Sequence, residues 1–193
     1  MLTAEREQQV IGLCQALIQE QSYSGQEEGV VNRMKQAFHE LGYDEVIVDA
    51  YGNILGRIKG SRPGKVILLD GHIDTVPVPD ASKWKHKPFG GEIEDGKIYG
   101  RGTSDMKGAV SGMIAAAAYF AADSRKDFAG EIYVSGVVHE ECFEGIAARK
   151  MSNSSRTSQS PYRSSSAAMM LMLPSTATTS LIMWPSIILG KTW

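Results

Sequence analysis

Apolar residues near the start of the chain recur at helical spacing: Val10, Leu13, Leu17 and Ile18, then Val30, Val31, Met34 and Phe38. The polar stretch Ser22 to Gly29 interrupts them. The pattern therefore predicts two helices between about Glu5 and Leu41, the second stopping at Leu41-Gly42. Glu45 to Asp49 and Ile54 to Ile58 read as strands joined by the turn Tyr51-Gly52-Asn53. After the turn Ser61 to Gly64 comes Lys65 to Leu69, a continuous apolar run that suits a central strand covered on both faces. Pro77 to Gly100 is rich in Pro, Gly and charge and reads as a long excursion with a short hairpin near Gly91 to Tyr99. Met106 to Ala122, rich in Ala and Met, predicts a buried helix, and Glu131 to Val138 another core strand. Strands alternating with helices indicate an α/β layered domain.

The pattern changes at Met151. From there to Trp193 the sequence holds no Asp or Glu, serine is frequent, and the apolar tract Ala167 to Leu173 follows neither helical nor strand periodicity. The chain thus divides into residues 1–150, which carry the α/β pattern, and residues 151–193. The second part reads as a Ser-rich, acid-free tail, expected to be disordered or the product of a reading-frame change.

Composition narrows the picture. A chain of 193 residues, 42% hydrophobic, has enough for one domain with a sizeable core and too little for two. A net charge of -2 leaves no basic footprint for nucleic acid. The charged N-terminus Met1 to Glu7 lacks an apolar signal region, and no apolar run reaches the roughly 18 residues of a spanning helix. Only two cysteines, Cys14 and Cys142, are present and far apart, as in a reducing compartment. The expectation is a cytoplasmic protein without nucleic-acid or membrane partners.

Candidate chemistry sits in three segments. In Leu68-Leu-Asp70-Gly-His72-Ile-Asp74-Thr-Val-Pro77 an apolar strand runs into a loop with His and Asp two residues apart. Such a pair can place a neutral imidazole as metal ligand with a carboxylate to fix its tautomer. In Gly100-Arg-Gly-Thr-Ser-Asp105-Met-Lys-Gly108, glycines let backbone approach a ligand, and Asp105 stands at a helix entry. Thr103, Ser104 or Asp105 would also serve there as an N-cap. In Val137-Val-His139-Glu140-Glu141-Cys142-Phe-Glu144-Gly145 two adjacent carboxylates follow a core strand. They point different ways, so one can bind metal while the other moves protons. Side by side they are unfavourable without a cation. His139 fits a ligand or a packing role equally, Glu144 reads as a solvated helix-entry charge, and nothing supports Cys142 as a nucleophile.

In this order the three segments resemble the M20 metallopeptidase family over roughly Glu5 to Lys150. The specific motifs are Gly71-His-Ile-Asp-Thr-Val-Pro77 and Gly100-Arg-Gly-Thr-Ser-Asp-Met-Lys-Gly108. The wording is similar to the acetylornithine deacetylase and succinyl-diaminopimelate desuccinylase type, and to the branch called selenium-metabolism-linked hydrolases. The resemblance implies the N-terminal part of a three-layer αβα zinc-hydrolase catalytic domain. It implies hydrolysis of amide or peptide bonds in small N-acyl amino acids or peptides, using two divalent metal ions: zinc, with cobalt or manganese as substitutes. By the same resemblance His72 binds one metal, Asp105 bridges both and Glu141 binds the second. Asp74 then supports His72, and Glu140 is the general base and acid.

The family's later features are absent from this sequence: a further acidic ligand, a lid or dimerisation domain, and a metal-binding His near the C-terminus. No acidic residue follows Glu144 and no His follows His139. The expectation is two protein ligands per metal in a truncated, impaired product, with homodimers confined to intact relatives. The alternative is a non-catalytic fragment or pseudogene product with a residual metal half-site.

Overall fold

The computed structural model describes residues 2–142 and the strand at 169–172. Two helices open the chain where the apolar spacing places them, α1 (Ala4–Gln19) and α2 (Glu28–Glu40). Thr3 caps α1, its hydroxyl oxygen accepting the Arg6 N–H at 3.2 Å. β1 (Glu45–Val48) and β2 (Ile54–Lys59) pair antiparallel, and β3 (Arg62–His72) follows. The excursion contains the hairpin β4 (Glu92–Glu94) and β5 (Lys97–Tyr99). It leads to α3 (Gly108–Asp123), β6 (Ala129–Val137) and β7 (Met169–Met172).

The main sheet runs β1-β2-β6-β3-β7. β6 is inserted between β2, to which it is antiparallel, and β3, to which it is parallel. Register places Ile54, Gly56, Val134, Gly136, Leu69 and Gly71 on one face. A Cβ at Gly71 would lie within 3.0 Å of Met106, Met113 and Val110, and one at Gly136 would lie 2.8 Å from Met34. α2 and α3 therefore press on the same face of the sheet, and α1 packs against both. Leu17, Val30, Met34, Phe38, Ile54, Ile58, Ile114 and Val134 are fully buried there. This is the expected α/β architecture, and the described residues comprise its sheet and one helical layer.

The reading of the third strand changes. The strand read as Lys65 to Leu69 extends from Arg62 to His72, and Ile67 is 40% exposed rather than covered on both faces. The apolar run reflects an interior place in the hydrogen-bonded ladder, between β6 and β7, more than coverage above and below. Within the tail, Met169 to Met172 pair parallel with Ile67 to Asp70, and the rest of residues 151–193 lies outside the described residues. Among the described residues no helix is long and apolar enough to cross a membrane.

Phe38 joins α2 to the sheet: its ring lies 4.5 Å from that of Tyr43, and a Cβ at Gly56 would sit 2.7 Å from it. Phe38→Ala should therefore cost about 3–5 kcal/mol, read as a lower denaturant midpoint at unchanged slope.

Candidate metal centre

The ends of β3 and β6 and the turn before α3 converge at one point. His72, the last residue of β3, is 3% exposed, and Asp74 just beyond it is fully buried. His72 Nε2 lies 2.9 Å from Asp105 Oδ1. His72 Nδ1 lies 3.1 Å from the main-chain oxygen of Asp74 and 3.6 Å from its carboxylate. Asp74 thus meets the ring through its carbonyl first and its carboxylate second.

Asp105 occupies the turn Thr103–Lys107, where it and Met106 leave helical dihedrals. The turn relies on Gly102 at φ +83°, where a Cβ would also meet Thr75 at 2.7 Å. None of Thr103, Ser104 and Asp105 caps α3. The N-cap position is Lys107, without a side-chain cap, and the Thr103 hydroxyl donates to Gly100 O at 2.9 Å. Asp105 is left to face His72.

His72, Asp105 and Glu141 each offer one ligand atom, all within 4.8 Å of one another. Two ligands at the ordinary distance of about 2.2 Å from one ion stand at most about 4.4 Å apart, so closing the trio on an ion takes small side-chain shifts. Glu140, 42% exposed, brings Oε2 to 3.9 Å from His72 Nε2. His139 stands outside this trio. It adopts φ +59°, donates its N–H to Glu27 Oε1 at 3.1 Å, and sets its ring beside Gly25. Both thiols are free, Cys14 buried and Cys142 exposed. Glu144 lies outside the described residues.

The electrostatics follow from crowding. Burial works against an ionised Asp74. Contacts from His72, the Ser24 hydroxyl at 2.7 Å and the N–H groups of Glu141 and Glu140 outweigh it, holding this carboxyl below its ordinary value. Burial also opposes protonation of His72. Hydrogen bonds to Asp105 and Asp74 and the charge of Glu140 reverse that and raise its pKa to about 10. Burial pushes Glu141 up; His72 pulls it down, and Asp105, Asp74 and Glu140 push it up again. Four carboxylates gathered on one imidazole form a donor set that suits a divalent cation.

Two residues at this centre have partners that no local sequence pattern marks. Ser24 reaches Asp74 from the α1–α2 loop. Lys107 is fully buried, and its Nζ donates to Leu17 O at 2.8 Å and Glu20 O at 2.6 Å, carbonyls at the end of α1. Burial lowers its pKa to about 8.

The sequence pattern of peptidase family M20/M25/M40 matches residues 68–177. The chain is 32% identical over 140 residues to succinyl-diaminopimelate desuccinylase of Cereibacter sphaeroides, covering 72% of this chain and 37% of that one. It therefore spans little more than a third of that relative's length. Its fold is similar to that of the di-peptidase Dug1p of Saccharomyces cerevisiae, with a TM-score of 0.64 at 18% identity over 78% of this chain and 36% of that one. It is also similar to a dinuclear metal-binding M20 peptidase of Bacillus subtilis, with a TM-score of 0.59 at 19% identity over 79% and 40%.

Lys107 gives a pH test. Its folded pKa of about 8 lies below the ordinary 10.5, so between those values the unfolded chain binds the extra proton. Stability contributed at this position therefore rises with pH across that window. Denaturant titrations at pH 8 and 10.5 should show the stability difference between wild type and Lys107→Met shifting in favour of wild type. An unchanged difference would contradict burial of the ammonium.

Proposed function

The chain belongs to peptidase family M20/M25/M40, and on that premise we propose a metal-dependent hydrolase of amide or peptide bonds in small N-acyl amino acids or peptides. The observation that carries this reading is the convergence of His72, Asp105 and Glu141 within 4.8 Å at the ends of two core strands and a glycine-flanked turn. The names of the relatives agree with it, one a desuccinylase and one a di-peptidase.

In this reading His72 and Asp105 would hold one divalent ion, and Asp105 and Glu141 would hold a second. Zinc suits a set of imidazole and carboxylates, with cobalt or manganese as substitutes. Bound there, such ions would supply Lewis acidity to the scissile carbonyl and to a water. Glu140, beside the trio and open to solvent, takes the proton of that water and returns it to the leaving amine. Asp74 is a positioning residue: it orients the His72 ring and receives the N–H groups of Glu140 and Glu141. The free thiols of Cys14 and Cys142 support a reducing, cytoplasmic setting.

Calorimetric titration with zinc should show binding by the wild-type chain that Asp105→Ala abolishes. Equal binding by both would overturn the assignment. Glu140→Gln should keep the metal and lower hydrolysis of an N-succinyl amino acid by about 10²–10⁴-fold. A variant as active as wild type would remove Glu140 from the chemistry.

A further inference from the structure

Residues 138–141 present four consecutive main-chain N–H groups beyond the end of β6, and a side-chain oxygen from elsewhere in the fold receives each one. Val138 donates to Asn53 Oδ1 at 3.1 Å and His139 to Glu27 Oε1 at 3.1 Å. Glu140 donates to Asp74 Oδ1 at 3.1 Å and Glu141 to Asp74 Oδ2 at 3.0 Å. The receivers are buried: Asn53 and Asp74 fully, Glu27 to 6% exposure. Buried main-chain donors need partners, and here the partners dictate the path of the chain.

Asp74 belongs to the centre already described, whereas Glu27 and Asn53 do not. Glu27 stands at the N-cap position of α2 but makes no capping bond there. Its carboxylate reaches across to His139 instead, where the backbone turns through φ +59°, a conformation that needs support in a residue other than glycine. Asn53 is itself fixed, its N–H and Nδ2 donating to the Asp49 carboxylate at 3.0 and 2.8 Å.

We infer that Glu27 and Asn53 are positioning residues for the metal centre. They bend the chain after β6 so that Glu141 meets His72 and Asp105 and Glu140 stands beside them. The inference rests on the metal-binding function proposed above, and the experiment separates the two. The full chain is titrated with Co²⁺ and followed by its visible absorption, with circular dichroism as the check on folding. Glu27→Ala should bind Co²⁺ about 10–100-fold more weakly than wild type, with displaced absorption bands. Glu27→Gln, which keeps an oxygen acceptor, should restore affinity and spectrum. If Glu27→Ala does not fold, Glu27→Asp, shorter by one carbon, replaces it with the same expectation. Wild-type affinity and spectrum in the folded variant would overturn the inference and leave the metal centre standing. A Glu27→Gln variant as weak as Glu27→Ala would overturn it too, because the hydrogen bond would then not be what matters. A wild-type chain that takes up no Co²⁺ would remove the metal-binding function and this inference with it.

Discussion

The centre depends on one buried carboxylate. Asp74 is fully buried, and an ionised group in such a place is costly unless its oxygens are hydrogen-bonded. Its donors are the Ser24 hydroxyl and the N–H groups of Glu140 and Glu141, with the His72 ring at 3.6 Å. These come from the α1–α2 loop, the segment after β6 and the end of β3. The charge is satisfied only when all three segments are in place, so a single desolvated group ties together parts of the chain that local structure leaves independent.

Lys107 makes the complementary link on the other wall. α1 has no basic residue in its last turn, and the ammonium of Lys107 takes that place against the Leu17 and Glu20 carbonyls. The same stretch of chain continues to Ser22, which bonds Ile73 and Thr75, and to Ser24. The Asp105 turn and the His72 strand end are thereby both anchored to the far end of α1.

Much of the fold was legible because its signals are local. The spacing of Val10, Leu13, Leu17 and Ile18 marks α1, and the pairing of β1 with β2 follows from the short turn at Tyr51-Gly52-Asn53. His72, Asp105 and Glu141 stood out because each lies where a strand ends or a glycine-flanked loop opens, and the structure brings these three together. The roles of Glu27, Asn53 and Lys107 were not legible. Their bonds join side chains to main-chain groups 112, 85 and 90 residues away and leave no pattern in the local sequence. The exposure of Ile67 escaped for a related reason: an apolar run reports strand preference, while coverage is decided by elements distant in sequence.

The place of β6 in the sheet has a consequence for the order in which the protein is made. β1, β2 and β3 are synthesised first, yet β2 and β3 are not neighbours, and the slot between them waits for residues 129–137. The third member of the trio, Glu141, leaves the ribosome only after that strand. A nascent chain can present His72 and Asp105 before Glu141 has emerged, so the trio is complete only after the central strand has inserted between β2 and β3, a long-range step.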